Sequence, residues 1–206
     1  MDINCFFFND VVDATVPSGV GYYDVGKVLT SSECDDIFSS AIDFEIPLIS
    51  GEHPVPNETY TNARIGSLYI NDDSLWAYER ITSVAREHND NIWQLNVLGT
   101  YECMDIIEYS SPHGGMGWHI DLSTGGNRTA NRKVNILLQL SEPDEYEGGE
   151  LQLFVPHENK DEPIVTLPKE KGNMVVFPPW IPHRVCPVTS GKRRSMVTYL
   201  HGPPLR

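Results

Sequence analysis

Cysteine is sparse in this 206-residue chain: Cys5, Cys34, Cys103 and Cys186 are widely separated, and none belongs to a CxxC pair. The spacing excludes a zinc knuckle or a dithiol redox motif and leaves small, buried free thiols as the expectation. Cations are also in short supply. Fifteen Lys and Arg stand against 29 Asp and Glu, a formal charge of −14 at pH 7. Such a field repels a phosphate backbone, so nucleic acid is not an expected partner. Lys192-Arg193-Arg194 is the nearest approach to a basic cluster. A long apolar run is missing too: Cys5-Phe6-Phe7-Phe8 is bracketed by Asp2 and Asp10, has no basic leader and is too short to span a bilayer. A cytoplasmic protein with no membrane partner is the expectation. No low-complexity tract or internal repeat is present. With 40% hydrophobic and 21% charged residues the chain reads as globular rather than disordered. Its length suits one domain over 1–206, and nothing in it specifies an oligomeric state.

What is there divides near residue 92. Thr30-Ser31-Ser32-Glu33 is a capping box, followed by Cys34, Ile37, Phe38, Ala41 and Ile42 at helical spacing, which predicts a helix over roughly 31–43. A second, over about 74–88, carries Leu75, Trp76, Tyr78, Ile81, Val84 and Ala85. Between them the prolines and polar residues of 50–59 predict a long loop. Residues 1–92 thus read as helical support with a lid loop, and 93–206 as a β core. Its expected strands are 93–98, 103–109, 133–140, 150–154, 172–177 and 194–200, broken by Gly and Pro turns. Val134, Ile136, Leu138 and Leu140 form a wholly apolar face opposite a mixed one of Asn135, Leu137 and Gln139, so both faces of that strand are covered. Many short strands after a helical flank indicate a mainly β, α+β fold: a β-sandwich or barrel such as a jelly roll, with helices packed outside.

Gly117-Trp118-His119-Ile120-Asp121 places a histidine and an aspartate two apart, on one face of any strand. His183 follows the rigid apolar run Phe177-Pro178-Pro179-Trp180-Ile181-Pro182. Two histidines and one carboxylate on one side of a metal are the facial triad of non-haem Fe(II) oxygenases, which leaves coordination positions open. Arg193 and Ser195 form a further i, i+2 pair, with Val197 and Tyr199 on the same face. A cation and hydroxyls facing inward, with no acidic neighbour in sequence, suit a carboxylate ligand. Arg194 points the other way, to a surface or structural role. Trp118 and Trp180 are candidates for a dry wall or for core packing alone. His113 is placed in a solvent-facing turn, and His53, His88, His157 and His201 receive no role.

The ordered set Tyr109, His119-x-Asp121, Arg132-Lys133-Val134-Asn135, Glu147-Gly148-Gly149-Glu150-Leu151, Phe177-Pro178, His183-Arg184-Val185, Gly191-x-Arg193 and Gly202-Pro203 resembles the Fe(II)/2-oxoglutarate-dependent oxygenases, in particular the prolyl-4-hydroxylase-like branch. The resemblance runs over roughly residues 100–203. It implies a double-stranded β-helix in which His119, Asp121 and His183 hold iron. It also implies 2-oxoglutarate as cosubstrate, its far carboxylate on Arg193 helped by Ser195, with Tyr109 lining that pocket. Gln139 stands where some members place a tyrosine hydroxyl. The implied reaction takes O₂ and releases succinate and CO₂ while hydroxylating an unactivated C–H, with ascorbate a possible helper. Relatives that demethylate nucleic acid usually carry a second arginine six residues after the cosubstrate arginine, where this chain has Tyr199. A peptide or small molecule is therefore the expected substrate, a prolyl or other peptidyl residue above all, with a free amino acid as the alternative. Two other classes stay open: a cupin-like zinc or manganese protein, and a metal-free binding module on the same scaffold. Neither explains Arg193 and Ser195. Loops at about 50–62 and 122–131 are placed to act as lids.

Overall fold

A computed structural model of the chain describes residues 21–47, 62–122, 131–155 and 163–203. Cys5, His53, His157 and nearly all of the two expected lid loops lie outside these residues. In chain order the elements are β1 (Tyr23–Lys27), α1 (Ser31–Ser40), β2 (Ile42–Pro47), β3 (Ala63–Leu68), α2 (Leu75–Ile92), β4 (Met104–Ser110), β5 (Gly114–His119), β6 (Arg132–Gln139), β7 (Tyr146–Gly148), β8 (Leu151–Phe154), β9 (Ile164–Thr166), β10 (Asn173–Phe177) and β11 (His183–His201). None of the helices among the described residues is long and apolar enough to cross a membrane.

Capping chemistry starts α1 as its sequence specifies: the Glu33 amide donates to Thr30 Oγ1 at 3.2 Å, and the Thr30 amide donates to Glu33 Oε2 at 2.9 Å. The helix stops at Ser40 rather than near 43, because Ala41 is already extended (φ −72°, ψ 139°) and Ile42 pairs with Ser67 on β3. Sheet hydrogen bonds outcompete a last helical turn there. The second helix runs past 88 to Ile92. Its buried Asn89 receives the Leu95 amide at 3.1 Å and donates to the Leu95 carbonyl at 2.9 Å. That side chain satisfies backbone groups a strand partner would otherwise need, and Gln94 takes φ 52°. The alternating segment 93–98 is accordingly not a strand. The first half is also not purely helical, since β1, β2 and β3 all extend the sheet.

Every ladder among the described residues is antiparallel. The larger sheet has the order β1-β10-β6-β11-β4-β3-β2, and β5, β7 and β8 pair with the first half of β11, with β9 outside β8. One 19-residue strand thus serves both sheets, joining what the sequence suggests as a separate histidine motif and a later strand. It turns between them at Gly191, whose φ of 72° and whose closeness to the Glu145 carbonyl (an added Cβ would lie 2.0 Å from that oxygen) admit only glycine. Helices α1 and α2 cover the outer face of the larger sheet over Ile37, Ala77, Ile81, Ile106, Ile136 and Met196. A second apolar cluster, including Leu137, Leu153, Phe177, Val185 and Val188, fills the space between the sheets. Strand β6 contributes Val134, Ile136 and Leu138 to the first and Leu137 to the second, so both its faces are covered as its pattern predicts. Cys34 is buried and free, and Cys103 and Cys186 are free and half-buried. The architecture is the jelly roll with outer helices that the sequence implies.

One buried charge sets the register of three strands. Glu108 on β4 is 1% exposed and pairs laterally with Arg64 on β3 and Arg194 on β11. Its carboxylate accepts from Arg64 Nε at 2.9 Å, Arg194 Nε at 2.9 Å and Lys192 Nζ at 3.0 Å. Arg194 also stacks 4.1 Å over Phe38 of α1, so its role is structural. Burial pushes the Glu108 carboxyl up, but Arg64, Arg194 and Lys192 outweigh it and bring it down to about 2. A depressed carboxyl stabilises the fold above its unfolded value near 4.5 and loses that contribution as pH falls towards 2. Glu108→Gln is therefore expected to cost on the order of 2 kcal/mol in urea unfolding at pH 7, discounted because the three cations are partly exposed. The gap to wild type should close as pH drops from about 4.5 to about 2; a gap independent of pH would refute the assignment.

Candidate active site

The last residue of β5, His119, lies directly across from the first residue of β11, His183, with ring centroids 4.1 Å apart. Each ring is oriented by main chain two residues earlier. The Nδ1–H of His119 donates to the Gly117 carbonyl at 2.9 Å, and that of His183 donates to the Ile181 carbonyl at 3.0 Å. With Nδ1 committed to main chain, each ring turns its Nε2 towards Asp121, and Nε2 is the nitrogen available to a metal. Asp121 lies just beyond the end of β5 in a bend, where its amide donates to the Pro179 carbonyl at 2.9 Å. Strand alternation alone therefore does not bring His119 and Asp121 together; the proline-rich run before His183 completes the approach. The carboxylate Oδ2 is 3.3 Å from His183 Nε2, and Oδ1 is 3.7 Å from His119 Nε2. One donor atom from each of the three residues lies within 4.8 Å of the others, a group able to hold a metal ion. Burial pushes the Asp121 carboxyl up, but the hydrogen bond and charge of His183 and the charges of His119 and Arg132 outweigh it, holding it below the ordinary aspartate range. A carboxylate oxygen and two imidazole nitrogens suit a divalent cation of borderline softness, which takes the place of any proton on Nε2.

Arg193 faces the space between the sheets from the second half of β11. It is 1% exposed and lies opposite Tyr109, with its guanidinium 5.5 Å from that ring. Nη1 donates to Ser195 Oγ at 3.0 Å, while Nε and Nη2 have no hydrogen-bond partner among the described residues. A buried guanidinium with two unsatisfied N–H directions is costly unless an anion completes it. Ser195 is buried opposite Gln139, whose Oε1 is likewise buried and unpartnered among the described residues. Tyr109 is buried and its hydroxyl is 3.9 Å from Met116 Sδ. The Arg193 guanidinium and the Ser195 hydroxyl fit the far carboxylate of a dicarboxylic acid.

Tyr199 shares the inward face but not the neighbourhood. Six residues beyond Arg193, roughly 20 Å along a strand, it lies opposite Asn135 with the Arg132 guanidinium 3.5 Å from its ring. Its hydroxyl is pushed well up by burial and by the charge of Asp121. It belongs to the Asp121 end of the site, not to a pair of hydroxyls around Arg193. Trp118 points to the opposite face from His119, stacking with Arg184 at 4.7 Å and packing edge-on to Phe154. The dry wall beside the histidines is Phe177 instead, fully buried and 4.9 Å from the His183 ring. His113 is an exposed turn residue outside the donor group. The sequence gives no role to Glu102 and His201, which turn out to join Arg132 behind Asp121; their contacts span 30 and 99 residues, beyond any local pattern.

Comparison with known proteins agrees with this geometry. Residues 104–201 match the family described as the 2OG-Fe(II) oxygenase superfamily. A PKHD-type hydroxylase of Colwellia psychrerythraea is 35% identical over 96 residues, covering 46% of this chain and 41% of that protein, so the match spans about two fifths of the relative's length. Among solved structures, a Pseudomonas putida prolyl-4-hydroxylase superposes with a TM-score of 0.63 at 17% identity, covering 94% of this chain and 96% of the other. A Trichoplax adhaerens prolyl hydroxylase, solved in complex with a hypoxia inducible factor peptide fragment, gives 0.64 at 17% identity, covering 88% and 83%. The segment that matches the 2OG-Fe(II) oxygenase superfamily, residues 104–201, contains all three residues of the His-Asp-His donor group, and the chain shares its jelly-roll fold with solved prolyl hydroxylases.

Proposed function

We propose that the protein is an Fe(II)- and 2-oxoglutarate-dependent dioxygenase that hydroxylates a peptidyl residue, with proline the foremost candidate. His119, Asp121 and His183 hold the iron. Arg193 and Ser195 take the far carboxylate of 2-oxoglutarate, with Gln139 and Tyr109 beside them. When bound, the iron with 2-oxoglutarate and O₂ supplies the oxidant for an unactivated C–H, with succinate and CO₂ as coproducts. The chain's own work is positional. Main-chain carbonyls aim the two imidazoles, Phe177 and the apolar filling between the sheets exclude water, and the guanidinium fixes the cosubstrate's direction.

The observation that carries this reading is Arg193, buried between the sheets with Nε and Nη2 unpartnered among the described residues. A zinc or manganese cupin or a metal-free module has no need of such a group. A peptide substrate is favoured by the fold shared with a prolyl hydroxylase solved with a peptide. It is also favoured by the chain's charge of −14, which disfavours a polyanion, and by Tyr199 in place of a second inward arginine.

With Fe(II) and ascorbate, the full chain is expected to turn over 2-oxoglutarate to succinate, and His119→Ala to yield none above background. Succinate formation equal in the two would refute the oxygenase reading. Replacing Arg193 by Met should weaken 2-oxoglutarate binding about 100-fold, the loss of charged hydrogen bonds worth roughly 2–3 kcal/mol. The same variant should leave Co(II) binding by the triad unchanged; an unaltered cosubstrate Kd would remove Arg193 from the pocket. Mass spectrometry of proline-containing peptides incubated with the enzyme should show the gain of one oxygen atom. A gain on free amino acids alone would move the substrate class.

A further inference from the structure

The two histidines of the triad are aimed by main chain, but Asp121 is held by side chains. Asn135 on β6 is fully buried and donates from Nδ2 to Asp121 Oδ2 at 2.6 Å. Its place is fixed by both neighbouring strands, opposite Phe177 on β10 and Tyr199 on β11. The amide cannot be reversed, because its oxygen would then face a carboxylate oxygen at hydrogen-bond distance. Arg132 approaches from the other side. Its Nη1 donates to the Asp121 carbonyl at 3.3 Å and stands 3.8 Å from Oδ1, too far for a hydrogen bond. That guanidinium is locked in turn. Nε and Nη2 form a fork on Glu102 at 2.8 and 2.6 Å, and the plane lies 3.5 Å over Tyr199. Behind Glu102 is His201, fully buried, with Nε2 2.9 Å from Glu102 Oε1 and Nδ1 accepting the Tyr101 amide at 3.2 Å. An Nδ1 that accepts leaves Nε2–H to donate, so the order of donors runs unbroken from the Tyr101 amide through His201 to Glu102, with Arg132 bridging Glu102 and Asp121.

A carboxylate left to itself can chelate a cation through both oxygens and occupy two coordination positions. Here Oδ2 is engaged by Asn135, which weakens it as a second donor, and the Arg132 clasp holds the backbone of residue 121, so the carboxylate is restrained from turning. We propose that Asn135 and Arg132, the latter braced by Glu102 and His201, are positioning residues that hold Asp121 as a one-oxygen metal ligand and so keep open the sites that a chelating 2-oxoacid and O₂ require. The inference rests on the metal-centre reading above and specifies what makes that centre open.

Co(II) titration of the metal-free full chain tests it without relying on turnover. Wild type is expected to bind Co(II) and to show one set of visible absorption bands. Asn135→Ala should bind at least about tenfold more weakly, the usual consequence of removing a hydrogen bond to a ligand. Its bands should shift in position and intensity as the second oxygen enters coordination. Arg132→Lys, which keeps the charge but loses the fork, should move affinity and bands in the same direction by less, and it carries the test should Asn135→Ala not fold. Folded variants with wild-type affinity and wild-type bands would overturn the positioning role while leaving the metal centre intact. A wild-type chain that binds no Co(II) would overturn the metal centre, and the inference with it.

Discussion

One strand belongs to both sheets, and the site is laid out along it. β11 begins at a metal-ligand candidate, His183, turns at Gly191, and two residues later presents Arg193 to the same interior. Because the chain between them is hydrogen-bonded on both sides, to β5, β7 and β8 in its first half and to β4 and β6 in its second, the separation of imidazole and guanidinium is set by backbone ladders rather than by flexible side chains. A ligand whose two ends are recognised by these two groups meets a gauge that cannot stretch. Such a rigid spacing is what the proposed cosubstrate pocket requires.

Adjacent residues of β4 and of β11 place opposite electrostatic situations on the two faces of the larger sheet. On the helix side Glu108 is buried and fully satisfied, ringed by Arg64, Lys192 and Arg194. On the inner side Arg193, next to Arg194, is buried with two of its nitrogens unpartnered among the described residues. Both are desolvated charges, yet one closes its own account within the fold and the other does not. The contrast separates a charge completed by the fold from one that awaits a partner. Glu108 fixes the register, and the register determines that Tyr109 and Arg193 turn inward together. The satisfied pair is thus what holds the unsatisfied one in place.

Local chemistry was legible in the sequence wherever neighbours in the chain are neighbours in space. The capping box of α1, the two covered faces of β6 and the Arg193–Ser195 pair all depend on spacings of a few residues, whereas His119-x-Asp121 marks the right residues but needs Pro179 to bring them together. Distant partners were not legible. The end of α1 was decided by pairing between Ile42 and Ser67, and the loss of a strand at 93–98 by the side chain of Asn89. Tyr199 carried the right parity at the wrong distance, because alternation reports the face of a strand and says nothing about which end of the site is near. Trp118 failed as a wall for the converse reason: once His119 faces inward, its neighbour must face out. The Glu102–Arg132–His201 network joins three segments that no window of the sequence contains.

The three donors differ in what secures them, and that difference decides how the centre can vary. His119 and His183 are oriented by carbonyls of Gly117 and Ile181, groups every residue possesses, so their aim survives side-chain change nearby as long as the backbone keeps its path. Asp121 has no such guarantee. It stands outside the strand, and its orientation depends on particular atoms of Asn135 and Arg132, and through Arg132 on Glu102 and His201. In the proposed centre, removing one imidazole would remove a ligand outright, whereas changing what surrounds the carboxylate would change how it is presented. Under the proposed metal-centre reading, the carboxylate is therefore where substitutions distant in sequence would retune the centre, while the histidines would fix its position.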